Sequence, residues 1–580
     1  MKMSGFEQAG ELFDRYIIAG NHGASDYFAL IKELVRRKNA EGDGWQEHID
    51  RAYASLYQEM CENQGDPTEP VTFGTSGWRG KLGKDIFVRS VAIVTAAIVE
   101  LYATLETDSS LASLLGVTSY DEARQRGCVV GFDNRFAGET LAAAAVQVLI
   151  RSGFTVHYAG ESTTGVLSAA VLERGVAFSI NLTPSHNPLE YGGYKYNAAD
   201  AGPAATLLTE RITENARRLM AKGVSALPAD LQFTGKLPET DALRRFDSLA
   251  TWKNLVRRNY HVHGLDLDAI IDTFIEREDI VVAVDSVHGA SRLHIREIFA
   301  GRACERLLTL RDTADVTFGG ISPEPSSTNM RGVVDMLKGR TERLKLGAII
   351  DPDGDRIRFT DGTAEISMNQ FGAMAYHFLH EYRGKRGMVA KTVATSNMAN
   401  RLAEVFGEEL FEPRVGFKEF KPVIGKALVL FEESDGISII GHTPEKDAYI
   451  GLILALDMVM TSNMNLGEYL EGLEKTYGAY YPDRDGVTVQ IKGKELLDIL
   501  QGLEKYGPGK AIQVGSELKI IREVIIIDGR KMILEDGSWL MIRPSGTEPK
   551  IRFYVESRTA DGTAGLVQAA RAMLAEIGLL

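Results

Sequence analysis

Ser185 lies in Asn181-Leu182-Thr183-Pro184-Ser185-His186-Asn187-Pro188, a hydroxyl on a proline-constrained turn beside a ring that can hydrogen-bond to it. A neutral serine is a weak nucleophile and needs a nearby base or a metal-polarised phosphate. Such a hydroxyl can also be held as a phosphoserine whose ester bridges to a divalent cation. Asp351, Asp353 and Asp355 alternate with Pro352 and Gly354, so three carboxylates can converge on one point. Hard oxygen ligands of this kind suit Mg²⁺, which keeps open positions for water or a phosphate oxygen. Glu432 and Ser434 stand at alternate positions of one loop and can together accept and donate hydrogen bonds to adjacent sugar hydroxyls. Arg543-Pro544-Ser545-Gly546-Thr547-Glu548-Pro549-Lys550 offers a guanidinium for bidentate phosphate contact, two hydroxyls, and a glycine that frees backbone amides to face an anion. Lys195 follows Gly192-Gly193, and Arg79 ends the glycine-rich run Phe73-Gly74-Thr75-Ser76-Gly77-Trp78. The inventory is that of phosphoryl transfer on a sugar phosphate.

Each loop has a rival reading. D-x-D-x-D opens an EF-hand, but that loop needs Gly at its sixth position and Glu at its twelfth, where this chain has Arg356 and Gly362. A strand followed by D-x-D-G is also how a haloacid-dehalogenase-like phosphatase begins, with Asp351 as nucleophile and Asp353 as acid; Asp355 stands where such enzymes carry Thr or Val. A lone Lys195 is most often a solvated charge. A non-catalytic sugar-phosphate binding protein would carry the same loops.

The elements that must position these loops follow from periodicity. At 580 residues and about 150 residues per domain, the chain divides into roughly four. Tyr27, Leu30, Ile31, Leu34 and Val35, then Ile49, Tyr53, Leu56 and Met60, recur at helical spacing. From Val71 strands and helices alternate, which predicts α/β domains with mixed, mostly parallel sheets. One unit recurs: Phe178-Ser179-Ile180, Leu346–Ile350 and Leu428–Phe431 are apolar strands that each run into a polar loop, where open α/β sheets place ligand groups. After Tyr480 the texture changes. Lys531–Leu534 and Trp539–Ile542 flank Asp536-Gly537, a hairpin signal, and a helix over Ala564–Leu574 closes an α+β domain with an antiparallel sheet. The expected division is a helical extension over 1–70, then 71–250 with the Ser185 loop, 251–372 with the aspartate loop, 373–482 with the Glu432 loop and 483–580 with the Arg543 loop.

A net charge of -14 argues against nucleic acid or an anionic membrane as the main partner. Cys61, Cys128 and Cys304 are too sparse for a disulfide framework and indicate a reducing, cytoplasmic compartment. Met1 to Gly10 has no signal-peptide pattern, and the greasy run Ala448–Leu456 is cut by Asp457, well short of the ~20 residues a bilayer span needs.

In this order and at these separations, the Thr75-Ser76-Gly77, Ser185-His186-Asn187-Pro188, Asp351–Arg356, Glu432–Gly436 and Arg543–Thr547 segments resemble the α-D-phosphohexomutase superfamily over about residues 71–560. The resemblance implies three similar α/β domains and a C-terminal α+β domain around a central cleft. It implies that Ser185 is the phosphoserine, and that Asp351, Asp353 and Asp355, with Ser185, hold Mg²⁺. Arg79, His186 and Lys195 would line the reaction centre, with Lys195 as general acid/base and Arg356 as a neighbouring cation. Gly416 and Lys418, in Val415-Gly416-Phe417-Lys418, resemble the domain-three loop; Glu432 and Ser434 resemble the sugar-binding pair and Lys446 a further substrate contact. Arg543, Ser545, Gly546 and Thr547 would grip the non-reacting phosphate. Thr183-Pro184-Ser185 with Gly192–Asn197 is most similar to the bacterial phosphoglucomutases, phosphomannomutases following closely. Asp435 departs from the glycine or aromatic residue common at its place, which bears on sugar preference. The activity implied is interconversion of glucose 1-phosphate and glucose 6-phosphate through glucose 1,6-bisphosphate, by a monomer or homodimer acting on hexose phosphates.

Overall fold

The computed structural model describes residues 5–74, 77–228, 231, 233–299, 304–491, 493–545 and 550–580. Three α/β domains and a C-terminal α+β domain follow a helical N-terminal segment. The helices Tyr27–Glu41 and Gln46–Glu62 bury Leu30, Ile31, Leu34 and Leu56 in one core with the first domain. Asp26 caps the first of them by accepting the Ala29 amide at 3.0 Å, and Tyr53 packs on Phe136 with ring centroids 4.5 Å apart. The helix Tyr27–Glu41 also reaches the second domain, where Asn39 Nδ2 donates to the Gly319 carbonyl at 3.0 Å.

In the first sheet, Phe178–Leu182 lies parallel to Cys128–Phe132 on one side and antiparallel to Tyr191–Ala198 on the other. The second sheet repeats this: Leu344–Ile350 is parallel to Ile280–Asp285 and antiparallel to Ile357–Thr360. So does the third, with Val429–Glu432 parallel to Val389–Lys391 and antiparallel to Gly436–Ile439. Each sheet is therefore mixed, parallel toward one edge and antiparallel toward the other. The connection from the last parallel strand to the strand that doubles back carries, in turn, Ser185, the aspartates and the Glu432 loop. Parallel strands are joined by crossovers over the faces of the sheet, whereas a strand that doubles back places its connecting loop at the sheet's carboxyl edge.

The second and third domains share one core. The helix Ala448–Ser462 is apolar on every face and buried between their sheets, as a helix without a polar stripe must be. A second apolar helix begins at Val88; the stretch Val88–Glu106 is long and apolar enough to cross a membrane, but it packs inside the first domain.

The C-terminal sheet is antiparallel throughout, in the order Tyr481–Thr488, Lys550–Ser557, Trp539–Pro544, Arg530–Leu534, Glu517–Ile525, Ala511–Val514. Gly537 takes φ +84 in the hairpin turn, the left-handed conformation that the Asp-Gly pair supplies. This domain docks on the third through Val393, Ala394, Ile533, Trp539 and Met541. Polar bonds frame that patch: Asn397 N donates to Glu556 Oε1 at 3.0 Å, and Lys531 Nζ donates to the Val393 carbonyl at 2.8 Å. The three cysteines are free.

Candidate active site

The strand Phe178–Leu182 delivers the Ser185 loop to the carboxyl edge of its sheet, and Ser185 there takes φ +58. A residue with a Cβ is seldom found in that region, so other groups must hold it. Ser185 N donates to Thr183 Oγ1 at 2.8 Å, and Thr183 Oγ1 donates to Asp133 Oδ2 at 2.6 Å. Arg135 donates to the carbonyls of Ser185 at 2.6 Å and Pro188 at 2.8 Å, and also to that of Asn187. Asp133 and Arg135 follow the neighbouring parallel strand Cys128–Phe132, so adjacent strands supply the serine and its brace.

The Ser185 hydroxyl donates to Asp351 Oδ2 at 2.8 Å and lies 3.2 Å from His186 Nδ1. The buried Asp351, Asp353 and Asp355 each offer an oxygen within 4.8 Å of the others. Asp351 Oδ1 accepts the amides of Asp355 and Arg356, both at 3.0 Å, which fixes the loop and leaves Oδ2 for the serine. Thr164 N donates to the Asp353 carbonyl at 2.8 Å, Ala290 N to Pro352 O at 2.8 Å and Ala448 N to Gly354 O at 3.0 Å, so backbone from the first three domains grips one loop. Gly354 takes φ +65, and a Cβ there would fall 2.6 Å from the Thr163 methyl.

Lys195 Nζ donates to Asp353 Oδ2 at 2.6 Å and Asp355 Oδ2 at 2.7 Å, with Thr164 Oγ1 at 3.3 Å. The far oxygens, Asp353 Oδ1 and Asp355 Oδ1, are buried without a hydrogen bond, and Arg356 Nε stands 3.8 Å from the latter. Buried carboxylate oxygens left unmet beside an oxygen of Asp351 are the donor set of a small divalent cation, and the residues fit Mg²⁺.

Burial, then the charges of Asp353 and Asp355, raise Asp351 well above the ordinary carboxylate range. Burial works the same way on Asp355, but Lys195, Lys446 and Arg356 together outweigh it and hold that group well below. Burial would lower Lys195, yet Asp353, Asp355 and Glu445 reverse the effect and keep it a firm ammonium. His186 is driven well below its ordinary value by burial and then by Arg356 and Arg79, so its ring is neutral. Arg79 Nη1 donates to Asn187 Oδ1 at 3.0 Å, on the loop of the serine.

From the third domain, Lys446 Nζ stands 3.4 Å from Asp355 Oδ2 and 3.5 Å from Glu432 Oε1, joining the sugar-loop carboxylate to the aspartate cluster. Ser434 is half-buried beside it. Asp435 takes φ +71, and its carboxylate receives Arg358 Nη2 of the second domain at 2.8 Å. Asp435 is thus one half of an interdomain ion pair. Gly416 takes φ +127, and Lys418 Nζ donates to Thr206 Oγ1 of the first domain at 3.0 Å, so it points across the domain boundary instead of at Ser185. Arg543 closes the last strand but one, with Nε 3.2 Å from Asp528 Oδ2. Ser545 N donates to Lys550 O at 2.7 Å. Gly546 and Thr547, and Thr75 and Ser76, lie outside the described residues.

Asp133, Arg135 and Thr164 carry the geometry, yet the sequence reading gave them no role. Asp133-Asn134-Arg135 directly follows the apolar strand Val129–Phe132, the same strand-to-polar-loop signal that marked the other site loops.

Family models place the relationship. The phosphoglucomutase/phosphomannomutase models match residues 70–222 as alpha/beta/alpha domain I, 262–364 as domain II, 367–477 as domain III and 493–573 as the C-terminal domain. The chain belongs to the phosphoglucomutase/phosphomannomutase family. A phosphoglucomutase from Komagataeibacter xylinus is 25% identical over 546 residues, which covers 84% of this chain and 88% of the relative. A phosphoglucosamine/phosphogalactosamine mutase from Sulfurisphaera tokodaii is 23% identical over 509 residues, 85% of this chain and 97% of the relative. The solved open form of pp63/parafusin, a phosphoglucomutase from Paramecium, superposes with TM-score 0.67 at 19% identity over 88% of this chain and 95% of its own. The phosphatase reading of the aspartate loop gives way to membership in this family of phosphohexomutases. The relatives' names span several hexoses, so membership fixes the class of reaction and leaves the choice of sugar to the site.

Proposed function

We propose that this chain interconverts glucose 1-phosphate and glucose 6-phosphate, with Ser185 carrying the phosphoryl group between them and glucose 1,6-bisphosphate formed on the way. The observation that supports this reading most is the 2.8 Å bond from the Ser185 hydroxyl to Asp351, which brings the serine to the aspartate cluster from a different domain. Asp351, Asp353, Asp355 and the esterified Ser185 would hold Mg²⁺, which when bound neutralises charge on the phosphoryl oxygens.

The chain's own groups divide the proton work. Lys195, expected from the family resemblance to act as both acid and base, is an ammonium locked between two carboxylates. It gives a proton to the leaving oxygen and recovers it when that oxygen attacks on the return step. The neutral His186 ring, 3.2 Å from Ser185 Oγ, is the acceptor beside the serine. Neutralisation by Lys195, Arg356 and Lys446 prepares a pocket for a dianionic phosphoryl group, and preorganised charge of this sort acts without reorganisation during transfer. Glu432 and Ser434 offer an acceptor and a hydroxyl to the sugar, and Arg543 with the loop after it grips the phosphate that is not transferred.

Intact-mass measurement of the purified full-length protein should find about 80 Da of added mass in part of the sample, absent from Ser185→Ala. That variant should fold and lose isomerisation. Turnover of glucose 1-phosphate should exceed that of mannose 1-phosphate and glucosamine 1-phosphate by roughly tenfold or more in kcat/KM, a difference of one good polar contact. A preference for mannose or glucosamine would overturn the sugar assignment and leave the phosphoserine chemistry standing.

A further inference from the structure

A cavity of about 390 Å³ lies between the N-terminal helices and the first domain, outside the cleft. That is the size of a pocket for a small metabolite. Its walls include Lys32, Glu59, Lys81, Lys84 and Glu190.

Two carboxylate oxygens in these walls are buried and accept no hydrogen bond, Glu59 Oε2 and Glu190 Oε2. Glu59 is only 6% exposed. Its other oxygen takes Asn63 Nδ2 at 3.3 Å, while Oε2 faces the His22 ring at 2.9 Å, a ring already bonded through the same nitrogen to the Tyr27 hydroxyl at 2.6 Å. Glu190 Oε1 takes Lys32 Nζ at 2.7 Å, which leaves Oε2 bare. Buried acceptors of this kind are rare in folded proteins because each forfeits its solvation. On the opposite side of the balance, Lys81 is exposed at the rim and its ammonium has no hydrogen bond or ion pair among the described residues, and Lys84 has spent one donor on the Gly23 carbonyl at 2.7 Å. The cavity therefore presents acceptors at depth and cations at the mouth.

We propose that this cavity is a second binding site for a small phosphorylated sugar or amino sugar, whose hydroxyl or ammonium donors meet Glu59 and Glu190 and whose phosphate meets Lys81 and Lys84. The walls connect it to the reaction centre. Lys81 ends the strand Gly77–Lys81 that carries Arg79, Glu190 ends the loop that carries Ser185, and Leu82 N donates to Glu190 O at 2.9 Å, binding the two segments together. A ligand bridging Glu190 and Lys81 pins the ends of both.

The test is titration calorimetry of the full-length protein with glucose 6-phosphate. Wild type should bind two equivalents. Lys81→Ala, a truncation at an exposed position that disturbs no packing, should weaken one equivalent by about tenfold and leave the other intact; Glu59→Gln should act on that same equivalent. Arg543→Ala should weaken the other one, so loss of the cleft reading and loss of the cavity site are told apart. A single equivalent in wild type, or two equivalents that survive both Lys81→Ala and Glu59→Gln, overturns the proposal. So does binding of inorganic phosphate at this site with no gain from the sugar, which would leave the two carboxylates without a purpose in recognition.

Discussion

The guanidinium of Arg135 lies 4.6 Å from the centroid of the Phe318 ring, so a side chain of the second domain backs the residue that holds the serine loop of the first. Phe318 is fully buried at φ +53, in the core that the N-terminal helices share with the first domain. Arg135 in turn fixes three carbonyls of the serine loop. Arg135→Lys keeps the charge but loses the forked geometry. It should lower kcat by about 10²-fold, with KM nearly constant, because a misplacement of about 1 Å at the reacting group has that consequence. Phe318→Ala should do the same and also lose about 3–5 kcal/mol of stability. Steady-state kinetics on the folded variants decides the matter; wild-type kcat in Arg135→Lys would show that the loop holds its own shape.

Gly193 faces the same loop from the strand Tyr191–Ala198, where an added Cβ would lie 2.2 Å from the Thr183 carbonyl oxygen and 2.8 Å from Pro184 Cα. Both obstacles are backbone, which cannot swing aside. Gly193→Ala should separate the strand from the loop and destabilise by about 1–3 kcal/mol, with turnover falling further than the stability loss explains. Urea denaturation followed by fluorescence, with kinetics at a temperature where the variant stays folded, separates the two effects. Full activity in this variant would mean that the close approach is incidental.

Much of the site was legible because its chemistry is carried by short loops after apolar strands. The Ser185, Asp351 and Glu432 loops declared themselves by residue type and by the period of the strand before them. The hairpin at Asp536-Gly537 was equally open, since few other pairs favour that turn. What stayed hidden depends on partners remote in sequence. Arg135 is one arginine among many until its carbonyl contacts are seen, and the pairing of Lys195 with Asp353 and Asp355 joins positions 158 and 160 residues apart. The bond from Lys418 to Thr206 likewise crosses a domain boundary between residues 212 apart. The strands Ala511–Val514 and Glu517–Ile525 gave a weak signal because Leu518 and Ile520 face solvent, at 71% and 39% exposure, and break the alternation of a half-buried sheet.

Lys195 and a divalent cation compete for the same carboxylates, and two substitutions should therefore move cation affinity in opposite directions. Asp353→Asn removes a charged ligand and should weaken Mg²⁺ binding by roughly a hundredfold or more. Lys195→Met removes the resident ammonium and should strengthen it, while the cation-free protein loses about 3–5 kcal/mol because two buried carboxylates are left unpaired. Direct Mg²⁺ titration calorimetry reads both without reference to activity. If Lys195→Met bound Mg²⁺ more weakly than wild type, the lysine would be a support of the cation site and not its rival.

Lys531 sits fully buried where the C-terminal domain docks on the third, with Nζ 2.8 Å from the Val393 carbonyl and 4.1 Å from the Trp539 ring centroid. Burial lowers its pKa to about 7, and the nearby Lys391 adds to the effect against the opposing pull of Glu412, Glu556 and Glu523. The unfolded chain then binds more protons than the folded one at every pH between about 7 and the ordinary lysine value of 10.5. Stability consequently rises with pH across that window, falls on acidification toward 7, and gains no further slope from this residue below it. The total swing should be on the order of 5 kcal/mol. Lys531→Met cannot titrate, so the difference in urea midpoint between wild type and this variant should widen in favour of wild type from pH 7 to pH 10. Trp539, in contact with the lysine, gives the fluorescence signal for the docked domain. A difference that stays constant with pH would mean that Lys531 keeps its charge when buried, neutralised by Glu412 at 3.8 Å.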